Sequence, residues 1–137
     1  MATTTAAVTL TSDLLSDNMS VTASTTCMKD GTTADGLDQM EYGYVNLPTG
    51  DEYDLIGATP NANKANKLYL KNHSIDETLF ISIRIHGQAV GRLYGGDWMF
   101  IPADYHDGDA DIQLTANGGT NKICYALFHE GTALVTT

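Results

Sequence analysis

Residues 103 to 114 read ADYHDGDADIQL and set Asp104, Asp107, Asp109 and Asp111 around His106. Alternating carboxylates are the chemistry of hard-cation binding, and a neighbouring histidine adds a general base or a further metal ligand. Asp107-Gly108-Asp109-Ala110-Asp111 matches the first five positions of a calcium-binding EF-hand loop. The match then fails. That loop needs glycine at its sixth position for a sharp turn and a bidentate glutamate at its twelfth, where this chain has Ile112 and Gly118. Asp107, Asp109 and Asp111 are the candidate metal ligands the spacing offers, and the reading adopted is a solvated acidic turn entering a strand, with no metal and no cofactor. In that strand Ile112 and Leu114 point inward. Asp109, Asp111 and Gln113 share the outward face, where carboxylates discourage edge-to-edge pairing.

The other reactive side chains form no constellation. His73, His86, His106 and His129 lack metal-ligand spacing, and His129-Glu130 opens like H-E-x-x-H but meets Ala133 where the second histidine belongs. G-x-S-x-G, G-x-G-x-x-G and the P-loop are absent, so a nucleophile elbow and a nucleotide cradle have no basis in the sequence. Paired carboxylates of the glycosidase kind come from distant strands, and no pair stands out among the many acidic residues. The expectation is a protein that is not an enzyme. Cys27 and Cys124 are far apart and form no C-x-x-C pair, and without a secretory context they read as two buried thiols acting as small hydrophobes. The glycosylation sequons at Asn18 and Asn72 carry no meaning in the same context.

The elements that must position these residues follow from composition and pattern. At 137 residues the chain reads as one domain, able to bury roughly 68% of the surface it exposes when unfolded. Seventeen acidic against seven basic residues give a formal charge of −10, which opposes nucleic acid and anionic membranes as partners. The start MATTTAAVTL lacks the basic and apolar regions of a secretory signal, and no apolar run approaches the ~20 residues that span a bilayer. Synthesis in a cytoplasm is expected. Short runs with period-2 alternation recur between Gly, Asn, Asp and Pro, as in a sandwich or barrel. They are AVTLTS, MSVTAST, MEYGYVNL, EYDLIG, KLYLKN, LFISIRIH, QAVGRLY, DWMFIP, ADIQLT, KICYALFHE and TALVT.

Several runs predict more than their own existence. In LFISIRIH, Leu79, Ile81, Ile83 and Ile85 share a buried face while Ser82, Arg84 and His86 share the wetter one. KICYALF is apolar on both faces, which predicts a central strand or one at a subunit contact. Residues 29 to 38 and 57 to 66 read as surface loops. The main core is expected over residues 67 to 130, preceded by a polar N-terminal arm over residues 1 to 20 that gains its partners from another chain. Gly95-Gly96 predicts a tight hairpin between two strands. Trp98 and Phe100 then share one face, Met99 and Ile101 the other, and Pro102 ends the strand. One face is core; the other is a candidate contact surface, with Tyr94, Trp98 and Phe100 as its interface residues.

The succession KLYLKNHSIDETLFISIRIHGQAVGRLYGGDWMFIPAD, followed by ADIQLTANGGTNKICYALFHEG, resembles small β-sandwich virion proteins of tailed bacteriophages. The motifs concerned are x-L-Y-L-K-N, G-R-L-x-x-G-(D/E)-x-x-F-I-P and A-D-I-x-L-T, and the likeness covers residues 67 to about 130. It agrees with the all-β fold expected from the strand pattern, an antiparallel β-sandwich or jelly-roll-like domain, while the extended N-terminal arm lies outside the likeness and is read from composition alone. It also implies a structural role on the capsid exterior, as a decoration or cement protein bound to the major capsid protein and commonly trimeric. Two rivals stand beside it. One is a component of the neck, tail or fibre. The other is a free carbohydrate-binding module, in which Trp98, Tyr94 and Tyr105 stack on a sugar beside the aspartates.

Overall fold

The structure, a computed structural model, describes residues 4–13, 19–27, 39–50, 52–56, 67–85, 87–102, 112–118 and 120–129. Ten strands run in order: β1 (Thr4–Ser12), β2 (Met19–Cys27), β3 (Gln39–Pro48), β4 (Glu52–Ile56), β5 (Lys67–Asn72), β6 (Phe80–Ile85), β7 (Gln88–Tyr94), β8 (Trp98–Pro102), β9 (Ile112–Ala116) and β10 (Thr120–His129). Each overlaps a run read from alternation. The run TALVT and the aspartates at 107, 109 and 111 lie outside the described residues.

The protein is all-β, with three antiparallel sheets. β1 and β2 form a two-stranded ribbon. β3-β10-β5-β8 form one four-stranded sheet and β4-β9-β6-β7 the other. The pairs β3 with β10, β4 with β9, β5 with β8 and β6 with β7 nest one inside the next along the sequence. Successive pairs fall in alternate sheets, and β10–β5 and β9–β6 join the two pairs within each sheet.

Alternation delivers the core. Leu68, Leu70, Ile123 and Leu127 from one sheet meet Ile81, Ile83, Leu93, Ile112 and Leu114 from the other in a single apolar cluster, joined by Leu47 and Leu55. Ten of its twelve buried members lie between Leu68 and Leu127, with Leu47 and Leu55 before them. β10 is central, flanked by β3 and β5, as its two apolar faces predict. The ribbon strands cover Thr4–Ser12 and Met19–Cys27.

The Gly95-Gly96 hairpin does not form. β7 pairs with β6 and β8 with β5, so the turn carries the chain from one sheet to the other. Only Gly96 takes a left-handed backbone, φ 93°, where a two-residue type I′ hairpin needs two such residues. Gly95 is required for another reason: a Cβ there would sit 2.6 Å from the Asp76 carbonyl oxygen and 2.8 Å from that of Ser74.

Asn72 joins the two crossings at this corner. It is fully buried. Its Nδ2 donates to the Leu93 carbonyl at 2.9 Å, and its Oδ1 accepts from the Ser74 N–H at 3.0 Å. Its backbone N–H donates to Asp97 O (3.0 Å), and its carbonyl accepts from the Gly96 N–H (2.8 Å). The loop beyond is held by Asp76, whose Oδ1 accepts from Thr78 Oγ1 (2.6 Å) and Thr78 N–H (2.9 Å).

Replacing Asn72 by Ala strands the Leu93 carbonyl and the Ser74 N–H, and should cost about 1–3 kcal/mol in denaturant unfolding. Asn72→Asp should cost more, because it keeps the acceptor but turns a buried negative charge on the Leu93 oxygen. Equal stability of the two variants would remove the carboxamide from this role. The Thr78 hydroxyl and N–H also hold the Asp76 carboxyl below the ordinary carboxylate range. Its contribution should be complete above the unfolded pKa and lost as pH falls through the lowered folded value. Titration of Asp76 by NMR in wild type and Thr78→Ala checks this: the variant should return toward the ordinary value.

Candidate interaction face

The two four-stranded sheets each turn one face to the core and one outward, and the outward faces differ in chemistry. On β4, β9, β6 and β7 the outward side chains satisfy one another. Gln113 Nε2 donates to Asp54 Oδ1 at 3.0 Å, Arg84 lies 4.0 Å from Glu52, and the Arg92 guanidinium stacks 4.2 Å above the Phe80 ring. Tyr94 packs on Phe80 with ring centroids 5.3 Å apart. This face is mixed in charge and closed on itself.

The outward face of β3-β10-β5-β8 is aromatic. β3 contributes Met40, Tyr42 and Tyr44; β5 contributes Tyr69; β8 contributes Trp98 and Phe100; β10 contributes Phe128. Strand register sets these side by side: Tyr69 opposite Phe100, and Ala126 between Tyr42 and Tyr69. The rings meet edge-on or tilted, as at Phe100–Phe128 (6.3 Å) and Tyr42–Tyr44 (5.7 Å). Lys67, Lys71 and Lys122 share the face, with Lys122 Nζ 4.5 Å above the Tyr44 ring. Among the described residues, its outward strand positions carry no carboxylate, in a chain with seventeen acids. The Tyr42 hydroxyl is held by the Cys124 thiol and then by the Tyr44 hydroxyl, which raises its pKa above the ordinary tyrosine range. Burial raises that of Tyr69. Among the described residues, the basic side chains at its outward strand positions are Lys67, Lys71 and Lys122.

The ribbon covers part of this face. Thr4, Ala6 and Val8 are half-buried and line, with Tyr69, Trp98, Phe100, Ala126 and Phe128, a groove of about 450 Å³. Cross-strand pairs place Leu10 opposite Val21, Val8 opposite Ala23 and Ser12 opposite Met19. One ribbon face is therefore apolar; the other carries Thr5, Thr9, Thr11, Ser20, Thr22, Ser24 and Thr26. Nine such pairs at ~0.2–1 kcal/mol each fall short of the ~1–2 kcal/mol that ordering each residue costs. The ribbon depends on cover from outside itself.

Of the expected interface residues, Trp98 and Phe100 come together in the groove. Tyr94 does not join them: alternation with buried Leu93 turns it to the opposite outer face. Tyr105 and the aspartates at 107, 109 and 111 lie outside the described residues, as do His86 and His106. His73 is exposed and stacks on Tyr44 at 5.6 Å. Among the described residues, no group of three or more His, Cys, Asp or Glu is placed to hold a metal ion. Cys27 and Cys124 are buried and unbonded. Sequence reading missed Met40, Tyr42 and Tyr44. The signal was there: in MEYGYVNL three of the four positions alternating with Val45 and Leu47, namely Met40, Tyr42 and Tyr44, are large and apolar or aromatic, the fourth being Asn46. No protein-family model, curated protein or solved structure matches the chain.

Because Cys27 is the one buried ribbon residue and none belongs to the main apolar cluster, a chain of residues 28–137 should fold. Trp98 is the sole tryptophan and lines the groove beneath β1, so this truncation should red-shift its emission and raise its quenching by iodide. Unchanged emission would mean the ribbon does not lie over Trp98 in solution.

Proposed function

We propose that the protein is a non-enzymatic structural component of a bacteriophage particle, a decoration or cement protein that binds the major capsid protein on the capsid exterior as a homo-oligomer, with a trimer favoured. The observation that carries this reading is the pairing of a carboxylate-free aromatic face with a ribbon that has no core of its own. A contiguous exposed apolar surface rimmed by polar groups marks a protein contact. The opposite face, satisfied within itself and mixed in charge, suits solvent.

The fold is in keeping with this. Eight strands in nested pairs, with successive pairs in alternate sheets, fit a jelly-roll sandwich, an architecture used by viral capsid domains and by lectins. In this role the protein acts by mass action. A subunit that binds the assembled shell but not its separated proteins stabilises the shell by that difference in binding. A net charge of −10 keeps loaded particles apart in solution. The neck, tail and fibre use the same physics at lower copy number. The lectin precedent and exposed Trp98 favour a second reading, a carbohydrate-binding module; a glycan array with and without Ca²⁺ tests it, and binding in neither condition removes it.

Quantitative mass spectrometry of purified particles should count this chain near the number of major capsid subunits. A few copies per particle would move it to the neck, tail or fibre, and absence would reject the virion reading. The chain of residues 28–137 should no longer join particles; full incorporation would take the ribbon out of the binding step.

A further inference from the structure

The apolar face of the ribbon is continuous but only half covered. Near the body, Thr4, Ala6 and Val8 lie over the chain's own aromatic sheet. Further out, Leu10, Met19 and Val21 keep between 44% and 50% of their surface exposed, on the same ribbon face. On the receiving sheet, the groove stops at β10, and the strip beyond it on β3 is bare: Met40, Tyr42 and Tyr44 are 49% to 59% exposed. Each copy thus presents an uncovered donor and an uncovered acceptor of the two chemistries that face each other across the groove within the chain.

We infer that the outer half of the ribbon, Leu10, Met19 and Val21, docks on the Met40-Tyr42-Tyr44 strip of a second copy of this chain. Charge favours a second copy. Two chains of net charge −10 repel wherever their acidic surfaces approach. The strands β1 and β2 contain no charged residue, and the strip belongs to the face whose outward strand positions carry lysines and no carboxylate. In this pairing no outward strand position of either surface sets a carboxylate of one copy against a carboxylate of the other. Donor and acceptor are different surfaces, so the contact is head-to-tail and generates a closed ring when its rotation permits. The inference rests on reading the aromatic sheet as an interaction face, and not on the particle to which the assembly belongs.

The test uses full-length chains. Val21→Cys is placed in one batch and Tyr44→Cys in a second batch carrying a tag that changes its size; both sites are exposed and outside the core. Oxidation of the mixture should yield a mixed-chain disulfide band that neither batch gives alone. A wild-type chain that sediments as a monomer, or a mixture with no mixed-chain band, overturns the inference. Leu10→Glu with Val21→Glu should weaken self-association by about tenfold or more, and undiminished association of that variant also overturns it. The two readings fail separately. A chain that cross-links as described but is absent from particles refutes the virion role and leaves this contact standing; a chain counted on particles without the cross-link does the reverse.

Discussion

A carboxamide with no access to water sits where the chain crosses twice between the sheets. Asn72 ends β5, and its side chain reaches the last inward residue of β7 and the first turn of the β5–β6 loop. Its main chain pairs with two groups of the β7–β8 turn, the Gly96 N–H and the Asp97 carbonyl. A buried polar group without partners costs several kcal/mol, so the corner is favourable only when all these segments are in place together. That requirement sets the geometry downstream. The β7–β8 turn fixes where β8 begins, and β8 presents Trp98 and Phe100 outward because Met99 and Ile101 must face the core. The aromatic face is aligned by a polar constraint at its margin.

The two four-stranded sheets present outward faces of different chemistry. On the outer face of β4-β9-β6-β7, Arg84, Glu52, Gln113, Asp54 and Arg92 find partners among their neighbours. On the outer face of β3-β10-β5-β8, rings meet rings edge-on or tilted, Lys122 lies over Tyr44, and among the described residues no outward strand position carries a carboxylate.

Period-2 alternation was enough to locate the strands and their inward sides, because burial on one face leaves a strong mark: Ile81, Ile83, Ile112 and Leu114 are buried as their patterns require. Strand pairing was not legible. Gly95-Gly96 has the composition of a hairpin turn, yet it spans two sheets, since the steric need at Gly95 comes from the carbonyls of Ser74 and Asp76, far back in the sequence. Gly43 makes the same point. It faces Tyr125 across β3 and β10, and a Cβ there would lie 3.0 Å from the tyrosine hydroxyl. Of the candidate face, Trp98 and Phe100 were readable from their alternation with Met99 and Ile101. Tyr42 and Tyr44 were readable in type but not in place, because their neighbourhood with Tyr69 and Phe128 exists only after β10 inserts between β3 and β5.

The composition of the ribbon follows from its position. Thr, Ser and Val favour extended backbone without supplying the bulk of a core, and β1 and β2 consist largely of these with Ala. The strands carry no charge, so the ribbon can lie on the lysine-bearing sheet or on a neighbour without a desolvated ion. None of its residues belongs to the shared apolar cluster, although Cys27 is buried, so the free energy that orders the ribbon comes from the surface it covers and not from a core of its own.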